Sequence, residues 1–211
     1  MGSAIMLCIA TDNYLTKFSS FLFTHYQYCK KHEIKYQLIT KNMPKIHPKW
    51  LKIWMAIKLL KNEDINHLIL IDSDICIGQD SPNILKNISS KSIHLCRGIS
   101  ERPNSGLIVF NNDQHSKEFL ANIFEDRANS VDESDFVTPE GENGHVIKYS
   151  KIFKEHIKIL PNIWNNTVPE RECFFKHYTN LMKSNFVHDA QQLKAKISDT
   201  SEYRLFIDEH C

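Results

Sequence analysis

Hydrophobic positions follow one rhythm in the first third of this 211-residue chain and another beyond residue 80. Ile5 to Ala10 is an apolar run of strand length. Leu15, Phe18, Leu22 and Tyr26 then recur at the spacing of a helix face, with Thr11 or Asp12 placed as its cap. Ile34 to Thr40 predicts a second strand, closed by the turn-forming Asn42-Met43-Pro44. Trp50, Ile53, Trp54, Ile57 and Leu60 predict a second helix. The aliphatic run Leu68-Ile69-Leu70-Ile71 then predicts a strand buried on both faces. Strand–helix–strand–helix–strand is the order of a doubly wound, mainly parallel α/β sheet flanked by helices.

Further along, Ser92 to Arg97 and Leu107 to Asn111 predict two more strands, with Pro103-Asn104-Ser105-Gly106 as a loop before the second. Asp113 to Arg127 predicts a helix. The polar stretch Asn129 to Gly144, with Pro139, Gly141 and Gly144, predicts a loop at a working surface. A short strand is expected over Ile157 to Leu160, a helix over Phe174 to Met182, an edge strand over Asn185 to His188, and a final helix over Glu202 to Ile207. No repeat, low-complexity tract or linker interrupts the pattern, so residues 1–211 read as one domain.

Composition narrows the classes. A hydrophobic content of 42% and a charged content of 24% suit a soluble globular protein. A net charge of +1 argues against a nucleic-acid or acidic-lipid surface. No apolar run approaches the ~18 residues that span a bilayer. The first residues lack the pattern of a secretory signal; Gly2 hints at myristoylation, but Met6 stands where Ser or Thr is expected. The six cysteines are scattered without metal or redox spacing, which implies a reducing, cytoplasmic setting. Asn87-Ile88-Ser89 and Asn165-Asn166-Thr167 fit a glycosylation sequon that has no meaning there.

The chemistry concentrates at Asp72-Ser73-Asp74. Asp and Ser favour turns, so the pair has a purely structural reading. Two carboxylates closing a buried strand are nevertheless costly without a positive partner, and open α/β sheets bind ligands at this strand end. Mn²⁺ or Mg²⁺ bridging a phosphorylated substrate meets both conditions. Asp74 would bind the metal, and Asp72 the metal or a ribose. Haloacid-dehalogenase-type phosphatases and nucleotide-sugar glycosyltransferases both use such a pair. The phosphatases usually carry Thr or Val two residues past the second Asp, where this chain has Cys76. A non-catalytic nucleotide-sugar or glycan-binding domain stays open, as does a nucleotidyltransferase, although Ala10 to Tyr14 supplies no Gly-rich basic loop.

Several segments together resemble the GT-A glycosyltransferases, especially the retaining, galactosyltransferase-like families. Ala10-Thr11-Asp12-Asn13-Tyr14 resembles their uracil- and ribose-cradling loop, and Trp50-Leu51-Lys52 the segment that brings a basic residue to the nucleotide. Leu68 to Ile77 resembles their Asp-x-Asp strand, and Asn104-Ser105-Gly106 through Asn111 their donor-facing Asn-Ser-Gly strand. Glu142-Asn143 falls where Asp-Gln is usual. Leu160-Pro161 and Trp164-Asn165 match a Leu-Pro…Trp-Asn element. His188 and Lys194 keep the family's six-residue His…Lys spacing, with Gln191 in place of the usual Gly. The likeness covers residues 5 to 195. Its compact, anchor-free form is similar to glycosyltransferase domains of large algal viruses that decorate capsid protein, which would place the chain in host cytoplasm.

The resemblance implies a GT-A domain with a nucleotide half to about residue 80 and a sugar/acceptor half beyond. It implies transfer of a hexose from a UDP-sugar to a hydroxyl of a glycan or glycoprotein, with retention; the sequence leaves the oligomeric state open and is compatible with a monomer. Asp72, Asp74 and His188 would hold Mn²⁺ or Mg²⁺. Ala10, Thr11, Asp12, Tyr14, Lys52, Asp72, Ser73, Asn104, Ser105, Gly106 and Lys194 would bind the donor. Glu142, Asn143 or Asp135 would face the anomeric carbon. Lys52 lies off the apolar stripe of its helix, so it either reaches a phosphate or is exposed. Trp164, in a Pro- and Asn-rich loop, is the tryptophan expected to meet a ligand.

Overall fold

A computed structural model describes residues 3–139, 141–169 and 171–210. Gly2, the myristoylation hint, lies outside them, as does Cys211. The early rhythm becomes β1 (Ser3–Ile9), α1 (Asn13–Lys31), β2 (Lys35–Ile39), α2 (Pro48–Leu59) and β3 (Ile65–Asp72). Pro48 opens α2 at a first-turn position that needs no N–H, and the His47 ring accepts from Lys49 N. Asp12 precedes α1 at a positive φ of 55° but forms no side-chain cap; its carboxylate accepts instead from Asn42 at 2.6 Å.

Next come β4 (Ile75–Ile77), β5 (Ile93–Arg97), β6 (Pro103–Asn111), α3 (Gln114–Glu125), α4 (Asn143–Ile152) and β7 (Ile157–Ile159). The chain ends in β8 (Phe175–His177), α5 (Phe186–Ile197) and α6 (Ser201–His210). Six strands form one sheet in the order β2-β1-β3-β6-β5-β7. It is mainly parallel, and β6 alone runs against its neighbours. The alternating side chains of this sheet feed two cores. One packs α1, α5 and α6 through Phe21, Leu22, Phe23 and Phe206; the other packs α2 and α3 through Ile53, Leu60, Phe119 and Ile123. No helix among the described residues is long and apolar enough to cross a membrane.

Four local expectations are corrected. The apolar residues of 174–182 do not form a helix. Phe175 and His177 point inward and Lys176 outward, a two-residue alternation, and β8 pairs antiparallel with β4 in a separate two-stranded sheet. Residues 185–188 do not form an edge strand, because Phe186 begins the helical series Phe186, Ala190, Leu193, Ile197 that packs on the α1 side. Pro103 to Gly106 is the first part of β6 rather than a loop. The Asp-x-Asp strand is broken: β3 ends at Asp72, a turn holds Ser73-Asp74, and β4 continues in the second sheet.

Trp164 is 2% exposed and packs against Phe174 and Phe175, so it is a core residue with no face for a ligand. Trp164→Ala is expected to cost roughly 3–5 kcal/mol in stability, read from urea unfolding. A loss below about 1 kcal/mol would show that the ring is not part of the core.

Candidate active site

Parallel pairing sets Ile9 of β1 opposite Asp72 of β3. The Ala10–Tyr14 loop therefore leaves the sheet beside the Asp72–Asp74 turn. The reversed strand β6 brings its first residues to the same edge, since Leu107 pairs with Ile71. Three backbone segments far apart in sequence thus meet at one end of the sheet, the end where such folds place ligands.

Lys52 is the hub on the α2 side. Its ammonium lies 2.7 Å from Asp72 Oδ1, 2.7 Å from Glu142 Oε1 and 3.1 Å from the Ser105 carbonyl. These three partners match the three donors of an ammonium. Lys52 is 7% exposed, so neither solvent exposure nor a free reach toward a phosphate describes it. Burial works against its charge, yet Asp72 and Glu142 together outweigh burial and hold its pKa above the ordinary lysine range. Burial likewise opposes ionisation of Glu142, but Lys52 and the Ser105 hydroxyl keep it below its ordinary value. Ser105 Oγ donates to Glu142 Oε1 at 2.7 Å, and Ser105 N donates to Asn143 Oδ1 at 2.8 Å. Glu142-Asn143 is thereby stitched to the Asn-Ser-Gly strand.

On the other side stands His177. Its Nε2 lies 3.2 Å from Asp74 Oδ1 and 3.9 Å from Asp72 Oδ2, and one ligand atom of each residue falls within 4.8 Å of the others. Burial pulls the His177 pKa down, but Asp74 and Asp72 outweigh it and shift it upward. Asp74 is held low by His177 against burial, whereas burial leaves Asp72 raised despite Lys52. The Asp72 and Asp74 side chains keep 30% and 25% of their surface, so this edge is open to a ligand.

A hydrogen-bond chain fixes the orientation of the imidazole. Gly106 N donates to Asn104 Oδ1, which identifies that atom as the carbonyl oxygen. Asn165 Nδ2 donates to the same oxygen at 2.9 Å, so Asn165 Oδ1 faces His177 Nδ1 at 3.0 Å and accepts its proton. In the neutral ring Nε2 then carries the lone pair, aimed at the two aspartates. Gly106 is required by close approach, because a Cβ there would lie 2.2 Å from His177 Cε1.

Two carboxylates and one imidazole fit Mn²⁺ or Mg²⁺, hard oxygen donors suiting both and the nitrogen favouring Mn²⁺. The charges agree with that fit: with the carboxylates ionised and His177 neutral, as a metal ligand must be, Asp72, Asp74 and Glu142 against Lys52 leave two negative charges.

The remaining expected site residues are placed as follows. Ala10 and Thr11 are buried, Ser73 is buried in the turn, and Tyr14 is 51% exposed with its ring against Phe18. Asp135 is buried and pairs with Lys151 at 2.5 Å, apart from the Lys52 network. His188 does not join the cluster. It is exposed on α5 and bonds to its helix neighbours Asp189 and Gln192, and Lys194 is exposed on the same helix.

His177 went unnoticed in the sequence although a signal was present. Lys183 follows it by six residues, the same spacing as His188…Lys194. Three residues after His177, where the resembled pattern has Gly, stands Asn180 at φ +47°, a backbone state that Asn tolerates better than most residues.

No protein-family model and no curated protein matches the chain. Solved structures do, several glycosyltransferases among them. A glycosyltransferase involved in the glycosylation of the major capsid of PBCV-1 superposes with a TM-score of 0.70 at 13% identity, covering 90% of this chain and 99% of that one. Glycosyltransferase GlyE of Streptococcus pneumoniae TIGR4 gives 0.66 at 9% identity, covering 99% and 63%. Galactosyltransferase LgtC, solved with donor and acceptor sugar analogs, gives 0.61 at 11%, covering 96% and 99%. The fold is the α/β fold of GT-A glycosyltransferases.

Lys52→Met should destabilise the protein by roughly 3–5 kcal/mol, because two carboxylates lose their partner in a buried place. Burial then pushes the folded-state pKa of Glu142 above its unfolded value. The lost stability should therefore return in part as pH falls from about 8 to about 5. Urea unfolding at both pH values checks this; a variant with the wild-type pH dependence would contradict the network.

Proposed function

We propose that the chain is a metal-dependent glycosyltransferase that moves a hexose from a UDP-sugar to a hydroxyl of a glycan or glycoprotein, with retention at the anomeric carbon. The observation that carries this reading is the meeting of Asp72, Asp74 and His177 beside the Lys52–Glu142–Ser105 network at the ligand-binding edge of the sheet. The shared fold and the sequence resemblance support the same reaction class.

A divalent ion held by Asp72, Asp74 and His177 would supply positive charge to the departing diphosphate, where negative charge grows as the glycosidic bond breaks. Asn165 presents the His177 lone pair toward that place. Lys52 holds Asp72 in position and keeps Glu142 ionised. Glu142 then provides the negative charge that stabilises positive charge at the anomeric carbon. With its Oδ1 engaged by Ser105 N, Asn143 has its amide N–H groups left to orient the sugar. The loop Ala10–Tyr14, at the end of β1, would line the nucleoside. Lys183, six residues after His177, takes the diphosphate role that the sequence suggested for Lys194.

The direct test is incubation with Mn²⁺ and a panel of nucleotide sugars, reading nucleotide release. UDP release from at least one UDP-sugar, abolished by a chelator and by Asp74→Ala, is expected. Phosphomonoesterase activity without UDP release would sink the proposal. Titration calorimetry separates the two histidines: His177→Ala should weaken Mn²⁺ binding at least tenfold and His188→Ala less than twofold. Equal losses would return the metal site to α5.

A further inference from the structure

A second concavity adjoins the site at Asn165 and Asn166, both of which bond His177. It encloses about 100 Å³, and Arg97, Glu101, Asn165, Thr167 and Arg171 are among the residues that line it. Arg97 closes β5, and Arg171 comes from the segment leading into β8, so the two guanidinium groups belong to different parts of the fold. Asn165 is fully buried, and its amide is the one that bonds Asn104 and His177. The pocket and the Asp72/Asp74/His177 cluster therefore share Asn165 as a wall.

We propose that this pocket receives the carboxylate or phosphate of an acidic sugar substrate. The inference rests on the transferase reading for its place in the reaction. Its chemistry comes from the pocket itself. A guanidinium donates hydrogen bonds in a planar fork and accepts none, which suits an oxygen-only anion better than a hydroxyl. The pocket is open to solvent and roomy enough for a carboxylate or phosphate group. Glu101 is the internal competitor. It stands in the tight turn between β5 and β6, at φ +58°, with its carboxylate 3.8 Å from Arg97. Both side chains are largely exposed, at 47% and 72%. Such a long, solvated pair contributes little and yields to a bidentate acid. The acid belongs either to the acceptor or to the transferred sugar of the donor, and the two are separable by experiment.

The test has a binding arm and a turnover arm. Titration calorimetry with methyl β-glucuronide, glucose 6-phosphate and methyl β-glucoside should show both acids binding at least tenfold more tightly than the neutral glycoside. In R97Q/R171Q that preference should vanish, and in E101Q it should grow. Equal binding of acidic and neutral sugars by the wild type, or a preference surviving in R97Q/R171Q, overturns the proposal. In the turnover arm, UDP release is compared for UDP-glucose and UDP-glucuronate, each with neutral and acidic acceptors. Acid selectivity on the acceptor side or on the donor side identifies which sugar carries the group; selectivity on neither overturns the proposal. Absence of UDP release from every donor, with acid binding intact, defeats the transferase reading and leaves the anion pocket standing.

Discussion

The buried ammonium of Lys52 is the constraint on which this edge of the molecule depends. A lysine at 7% exposure has lost nearly all its water, and only well-placed oxygens compensate. Here they come from three elements: Asp72 at the end of β3, the Ser105 carbonyl on β6 and Glu142 at the start of α4. With α2, which carries Lys52, four elements are locked by one charge. The same arrangement leaves Asp72 with a second oxygen directed toward His177. The ion pair is thus weak evidence for overall stability and strong evidence for a fixed geometry, because removing any member strands a charge in a poorly solvated place.

The strand β6 connects this network to the imidazole. Leu107 and Val109 face the α1 core, while Ile108 and Phe110 face the α2–α3 core. A strict two-residue alternation would turn Ser105 the same way as Leu107. Instead its hydroxyl reaches Glu142, the N-cap residue of α4. The ladder explains the exception: Leu95 pairs with Ile108 but Cys96 with Asn104, so β6 carries an irregularity across residues 105–107. Bulges of this kind re-aim side chains near working sites. The Asn-Ser-Gly element accordingly serves two directions. Ser105 holds the carboxylate network, and Asn104 with Gly106 holds the Asn165–His177 chain.

This geometry also explains what the sequence could disclose. The run Leu68 to Ile71 and the stripe from Trp50 to Leu60 are long and consistent, so β1 to β3 and their helices were legible from periodicity. Asp72 and Asp74 were visible because charges at a buried strand end are conspicuous. The burial of Lys52 was not: it stands off the apolar stripe of α2, and its partners lie 20, 53 and 90 residues further along. His177 was hidden because a three-residue strand is too short for a period of 2 to be told from 3.6. His188…Lys194 offered a competing match of identical spacing. Backbone state separates the two matches, since Asn180 adopts a positive φ, the state that glycine favours, whereas Gln191 lies inside α5.

The position of His177 finally binds the site to the C-terminal third of the chain. The Ser73-Asp74 turn passes the backbone from the six-stranded sheet to the pair β4–β8, where Ile75 opposes His177 and Tyr178 N donates to the Asp74 carbonyl. A two-stranded sheet has little stability of its own. It is held by Phe175 against Trp164, and by Tyr178 stacked on Phe21 and edge-on to Phe186. The β4–β8 pairing that sets Asp74 beside His177 is therefore backed by aromatic packing between α1, β8 and α5. The helix that carries His188 acts on the cluster through that packing and through Asp189, which accepts from the Tyr178 hydroxyl at 2.6 Å. α5 thus supports the cluster from behind, and none of its side chains enters it.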